Sequence, residues 1–151
     1  MIKPILTYYD IAEGVKAFSS TRMGGVSKDS FGEFNINGFC GDDELSVSEN
    51  KKALAEELCV DVDKIIIPHQ IHRIECRTIA PEFFGMPDNI RKMLLEGVDC
   101  VLTDIRNLCI GVSTADCIPI LLYDNEHHAI AAVHAGWRGT LNRIAHRAIV
   151  E

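Results

Sequence analysis

Three short stretches of this sequence concentrate side chains able to do chemistry. "HAGWRGT" (His134–Thr140) holds the single tryptophan with a histidine, an arginine and two glycines. "STADCIPI" (Ser113–Ile120) sets Asp116 beside Cys117 between apolar runs, and "PHQIHR" carries His69 and His72. A cysteine next to a carboxylate at a strand boundary suits either a thiolate nucleophile or a metal ligand. Asp116 itself is a charge in apolar surroundings and needs a partner. His69 and His72 are separated by an odd number of positions, so on a regular strand they face opposite sides and one of them serves a given site.

The "HAGWRGT" stretch reads as a strand-to-helix junction. "AIAAVH" delivers His134 to the end of a buried strand, Gly136 and Gly139 permit a tight path, and Thr140 reads as the N-cap of a final helix. A helix N-terminus beside Arg138 suits a phosphate or a carboxylate. Taken singly, each stretch also describes plain structure: a buried thiol, a tryptophan filling core space, an arginine covering a helix end. Taken together they offer more. A histidine, a cysteine and a second histidine, all near the ends of apolar strands, make a three-donor set for Zn²⁺ with a fourth position left for water or substrate. The rival constellation uses Cys117 as nucleophile with His134 or His72 as its base.

The elements that must position these residues follow from pattern. The sequence predicts strands around Ile2–Tyr8 and Val15–Ser20, then a long loop, "TRMGGVSKDSFGEFNINGF", rich in Gly, Ser and Asn. A helix starts at a capping box of Ser46 and Glu49, with Val47, Leu54 and Leu58 on one face. "KIIIPHQIH" reads as a strand that pairs with "ECRTIA", and a short helix spans Asp88–Glu96 and closes at Gly97. Four apolar runs follow, "VDCVLT", "LCIGVS", "IPILLYD" and "AIAAVH", the last three continuous enough to be covered on both faces. "DNEHH" reads as the hairpin turn between the last two. Leu141, Ile144, Ala145, Ala148 and Ile149 form one helical face that still runs at Glu151, with no stop signal.

Composition narrows the function classes. A chain of 151 residues suits one domain with a real core. Its formal charge of −7, without a Lys/Arg stripe, argues against a nucleic-acid partner. No apolar run approaches the ~18 residues of a membrane span. The N-terminus lacks the apolar core and cleavage site of a signal peptide, so the expected location is cytoplasmic. Six cysteines without a CxxC pair read as six reduced thiols.

Beyond these stretches, "STRMGGVS", "FNINGFCGDD", "QIH", "GVDCVLT", "STADCIPILLYD" and "HAGWRGT" occur in an order and spacing that resembles the YfiH/laccase-domain family. Its members have been called polyphenol oxidoreductases, peptidoglycan editing factors and purine nucleoside phosphorylase/adenosine deaminases. The resemblance implies an α+β fold, a mixed β-sheet core flanked by helices and related to the catalytic domain of cytotoxic necrotising factor. It implies metal ligands at His72, Cys117 and His134, choosing His72 over His69. Arg22, Arg138 and Asn35 fall on family positions suited to substrate or phosphate. Asp116, beside Cys117, is the candidate to orient a ligand histidine or to act as an acid or base. The leading expectation is a zinc enzyme that phosphorolyses adenosine or inosine and deaminates adenosine, with purine nucleoside and phosphate as its small-molecule partners. The rivals are a copper polyphenol oxidoreductase, a hydrolase of peptidoglycan precursors with Cys117 as nucleophile, and an incomplete, inactive domain. Because family members run further, the resemblance implies that 1–151 is the N-terminal part of a longer single domain, completed by a missing C-terminal segment or by self-association.

Overall fold

The computed structural model describes residues 2–151, which fall into two units divided between Ile65 and Ile66. No helix among the described residues is long and apolar enough to cross a membrane. The architecture is the expected α+β arrangement of a mixed sheet with helices.

In the first unit, β1 (Leu6–Tyr9) pairs antiparallel with β2 (Ala17–Ser20), Leu6 opposite Ser20 and Tyr9 opposite Ala17. Helix α1 (Glu44–Leu58) starts earlier than its capping-box reading. Asp43 is the N-cap, and its Oδ2 accepts from both the backbone N and the Oγ of Ser46, each at 2.9 Å. A carboxylate has enough acceptor sites to satisfy two donors at a helix end, so Ser46 becomes its donor instead of the cap. The long loop before α1 is organised by one fully buried helix residue, Asn50. Its amide donates to Ser27 Oγ and to the carbonyl of Asn35, both at 2.9 Å, while its Oδ1 accepts from Val26 N at 3.0 Å. Gly25 is required for this close approach, because a Cβ there would lie 2.2 Å from the Glu33 carbonyl oxygen.

The second unit begins within β3 (Ile65–Ile66), which pairs with β6 (Cys109–Ile110). β3 stops there because Pro68 supplies no N–H to a ladder. "ECRTIA" therefore does not pair with it. Instead β4 (Cys76–Thr78) lies parallel to β5 (Cys100–Thr103), and the main sheet has the order β4-β5-β8-β7. β7 (Ile118–Asp124) and β8 (Ala129–Ala135) form the expected hairpin, and β8 runs antiparallel to β5. β5 and β8 are central and buried, whereas β7 is an edge strand with only partial cover. One core cluster gathers Cys76, Cys100, Val133, Ile144 and Ala148, and another gathers Ile66, Ile79, Phe83, Val98 and Val101. Cys100 and Val101 are neighbours in β5, so strand alternation puts the two clusters on opposite faces of the sheet.

Helix α2 (Asp88–Leu94) is followed by Gly97 at φ 72°. The terminal helical pattern is not one helix. α3 (Trp137–Leu141) has Gly136 as its N-cap and contains Thr140, and α4 (Ile144–Val150) restarts after Arg143 at φ 60°. This left-handed residue breaks the helical phase. Ile144 and Ala148 keep the buried face, while Leu141 and Ile149 are 74% and 71% exposed. Trp137 is also 69% exposed and fills no core space.

Candidate metal centre

Four chain segments meet at one end of the main sheet. β8 arrives there with His134, and antiparallel pairing brings the start of β7 alongside, Ile118 opposite Ala135 and Pro119 opposite His134. Cys117, one residue before β7, thereby reaches His134. On the other side, β5 starts with Cys100 opposite Val133, and Asp99 just before it accepts from His134 N through its carbonyl at 2.8 Å. The parallel partner β4 starts at the same end, so the segment leading into it, which carries His72, arrives there too.

The result is a trio. The candidate ligand atoms of His72, Cys117 and His134 all lie within 4.8 Å of one another. The two imidazoles meet edge to face with centroids 4.8 Å apart. His134 is buried, Cys117 partly buried and His72 exposed, so the trio opens to solvent on the His72 side. His69 stands apart, with its Nδ1 2.7 Å from Glu96 Oε1. Selection between the two histidines does not follow from strand alternation, because the chain is no longer a strand at either position. His72 has left-handed backbone, φ 62°, and its ring lies against that of His134.

A carboxylate outside the expected set holds this arrangement. Asp99 is fully buried, and its Oδ1 lies 2.7 Å from His134 Nδ1. The same carboxylate accepts from the backbone N–H groups of His72 at 3.0 Å, Arg73 at 2.8 Å and Ile71 at 3.3 Å. It therefore fixes the histidine turn and the imidazole of His134 together. With Nδ1 donating to a carboxylate, the lone pair of His134 resides on Nε2, the tautomer this hydrogen bond selects for a metal ligand. The signal for Asp99 lies in "GVDCVLT", where a charge leads directly into an apolar strand and demands a partner.

Gly136 forms one wall. Its φ of −71° is open to any residue, so space is what requires glycine here. A Cβ would sit 3.2 Å from Cys117 Sγ and 3.3 Å from His72 Cδ2. Desolvation pushes the Cys117 thiol above the ordinary cysteine range, and the carboxylates of Asp116 and Asp99 push it further. A thiol so placed is a poor nucleophile on its own, and a cation among the trio offsets the same negative surroundings. Two imidazoles and one cysteine sulfur, backed by a buried carboxylate, are a donor set that fits a borderline-soft ion such as zinc with a position left open.

The other expected residues lie as follows. Asp116 is exposed beside Cys117, with Oδ1 3.9 Å from Sγ. Arg138 is in the first turn of α3, its guanidinium 5.1 Å above the Trp137 ring. Arg22 and Asn35 belong to the first unit. Arg22 donates to the Ser30 carbonyl, and the Asn35 amide donates to Asp42 Oδ2 at 2.9 Å.

Residues 16–151 match the model of a family described as multi-copper polyphenol oxidoreductase laccase. The chain is similar to adenosine deaminase RL5 from an unknown prokaryotic organism, 39% identical over 97% of this chain and 55% of the relative. It is similar to a purine nucleoside phosphorylase of Bacteroides thetaiotaomicron, 36% identical over 92% of this chain and 52% of the relative. Among solved structures, Bacillus licheniformis hypothetical protein YfiH superposes with a TM-score of 0.80 at 28% identity, covering 89% of this chain and 51% of that one. Neisseria meningitidis protein NMB0706 gives a TM-score of 0.78 at 26% identity, covering 98% and 56%. The chain thus spans about half the length of the curated relatives it matches.

Proposed function

Because the chain belongs to the family described as multi-copper polyphenol oxidoreductase laccase, we propose that it carries the metal-binding part of a zinc-dependent purine nucleoside enzyme, of the kind two relatives' names describe. Its reactions are phosphorolysis of adenosine or inosine and deamination of adenosine. The observation that carries this reading is the trio of His72, Cys117 and His134 within 4.8 Å. When bound, zinc supplies Lewis-acid chemistry that activates water near neutral pH.

The chain's own residues do the rest. Asp99 holds Nδ1 of His134, so the ring presents Nε2 without a tautomer change. Cys117 contributes the negative charge of the donor set, and His72 closes it on the solvent side. Asp116, exposed beside the thiol, exchanges a proton with the substrate. Arg138, the cation in the first turn of α3, attracts phosphate.

Metal analysis with nucleoside turnover tests this directly. The expected result is stoichiometric zinc, phosphate-dependent release of purine base and release of ammonia from adenosine, all lost in Cys117→Ala. A metal-free Cys117→Ala protein with full turnover would overturn it. The family's description carries a second reading, copper with phenol oxidation. Stoichiometric copper together with phenol turnover would put that reading first.

A further inference from the structure

The ladder between β3 and β6 ends with Gly111 N donating to the Ile66 carbonyl at 3.0 Å. Beyond that point both segments leave strand geometry, one on its way to His72 and the other on its way to Cys117. A side chain takes over where the ladder stops. Gln70 Nε2 donates to the Ser113 carbonyl at 2.8 Å, and Ser113 N donates back to Gln70 Oε1 at 2.7 Å. The carboxamide thus copies a peptide group and pairs with one residue of the facing segment in both directions, as a strand neighbour would.

Gln70 stands two residues before His72, and Ser113 four residues before Cys117. Together with the Asp99 carboxylate, this forms a continuous tie. The Cys117 segment is bonded to Gln70, the His72 turn to Asp99, and Asp99 to His134. Asp99 secures the two histidines, and Gln70 secures the cysteine arm against them. We infer that Gln70 is a positioning residue of the metal centre, setting Cys117 at ligand distance from His72 through its two bonds to Ser113. The inference rests on the metal-centre reading above.

Glutamate at this position keeps the acceptor for Ser113 N but loses the donor and faces a carbonyl with a negative charge. Leucine keeps most of the volume and loses both bonds. The two variants therefore grade the effect, and the more conservative one retains a bond that supports folding.

The test uses the full 151-residue chain and cobalt(II) as a spectroscopic stand-in for zinc. The readouts are cobalt affinity, the thiolate-to-cobalt absorption band and the thermal midpoint of the metal-free protein. The expected result for Gln70→Leu is an affinity loss on the order of 10–100-fold, the range for residues that orient ligands. The thiolate band weakens with it, and Gln70→Glu falls between this variant and the wild type. The metal-free midpoint moves little in either variant. Wild-type cobalt affinity and an unchanged thiolate band in Gln70→Leu would overturn the role of Gln70 alone. A wild-type chain that takes up no cobalt, or takes it up with no thiolate band, would overturn the metal-centre reading and this inference with it.

Discussion

The Asp99 carboxylate and the His134 imidazole meet at 2.7 Å in a place where both are nearly sealed from solvent. Three backbone N–H groups of the His72 turn converge on the same carboxylate. One side chain therefore sets the orientation of one candidate ligand and the backbone path of another, a coupling that metal sites use to hold ligands before the ion arrives.

Asp99→Asn tests this coupling. The amide keeps the shape but turns an N–H₂ toward donors that now lack an acceptor, a cost of about 1–3 kcal/mol for a buried unsatisfied group. Zinc affinity is expected to fall roughly 10–100-fold. Competition against a chromophoric chelator measures the affinity and thermal unfolding measures the stability. Unchanged zinc affinity in the Asp99→Asn protein would contradict the coupling.

Gly136→Ala separates space from conformation. Its backbone angles suit alanine, so the metal-free protein should unfold within a few degrees of the wild type. The new methyl faces Cys117 Sγ and His72 Cδ2 at 3.2–3.3 Å, and the exposed His72 is the group free to move away. Weaker zinc binding with nearly unchanged thermal stability is the expected pair of results. Equal loss of both would show that Gly136 serves the fold instead.

The cysteines should separate kinetically toward a thiol reagent. Cys40 and Cys59 are exposed and react first. Cys117 reacts slowly with zinc present and faster once a chelator removes it. Buried Cys76 and Cys100, and Cys109, whose pKa burial pushes up to about 11, wait for unfolding. Mass spectrometry of alkylated peptides, with and without chelator, reads each site separately. Zinc that leaves the Cys117 rate unchanged would contradict its place in the donor set.

Acid should loosen the long loop of the first unit through Asp42. Desolvation pulls its carboxyl upward, but hydrogen bonds from Ser27, Asn35 and the Asp43 amide outweigh this and leave the pKa below the ordinary value. A depressed carboxyl stabilises the fold above its unfolded pKa of ~3.9, and that stability is lost as pH falls through the folded value. Hydrogen exchange in the 26–43 segment is expected to accelerate below about pH 4 in the wild type. In Asp42→Asn this acceleration should shrink, and an identical pH profile in the two proteins would contradict the assignment.

What can be read from the sequence divides along physical lines. Cys117 and His134 stand out as candidate ligands because each is a metal-capable side chain at the end of an apolar run, whereas spacing leaves His69 and His72 open and the family resemblance alone picks His72. The β7–β8 hairpin is legible from its turn residues. The phase break at Arg143 is not, since a left-handed non-glycine residue leaves no compositional mark and the helical periodicity runs straight through it. The pairing of β4 with β5 depends on Pro68 ending β3 and on a partner some two dozen residues away in sequence, which local pattern does not reveal. Asp99 hides for a similar reason. Its partners lie on two other segments, so its charge signals a need for company without naming it.

In the proposed site His72, Cys117 and His134 share one ion. X-ray absorption at the zinc edge of the zinc-loaded chain reads the donor set directly. The expected shell holds one sulfur at ~2.3 Å and two imidazole nitrogens at ~2.0–2.1 Å, with the remaining scattering from a light atom at the open position. The sulfur contribution should vanish in Cys117→Ala. A shell of light atoms alone in the wild type, or a sulfur that survives the substitution, would contradict the site.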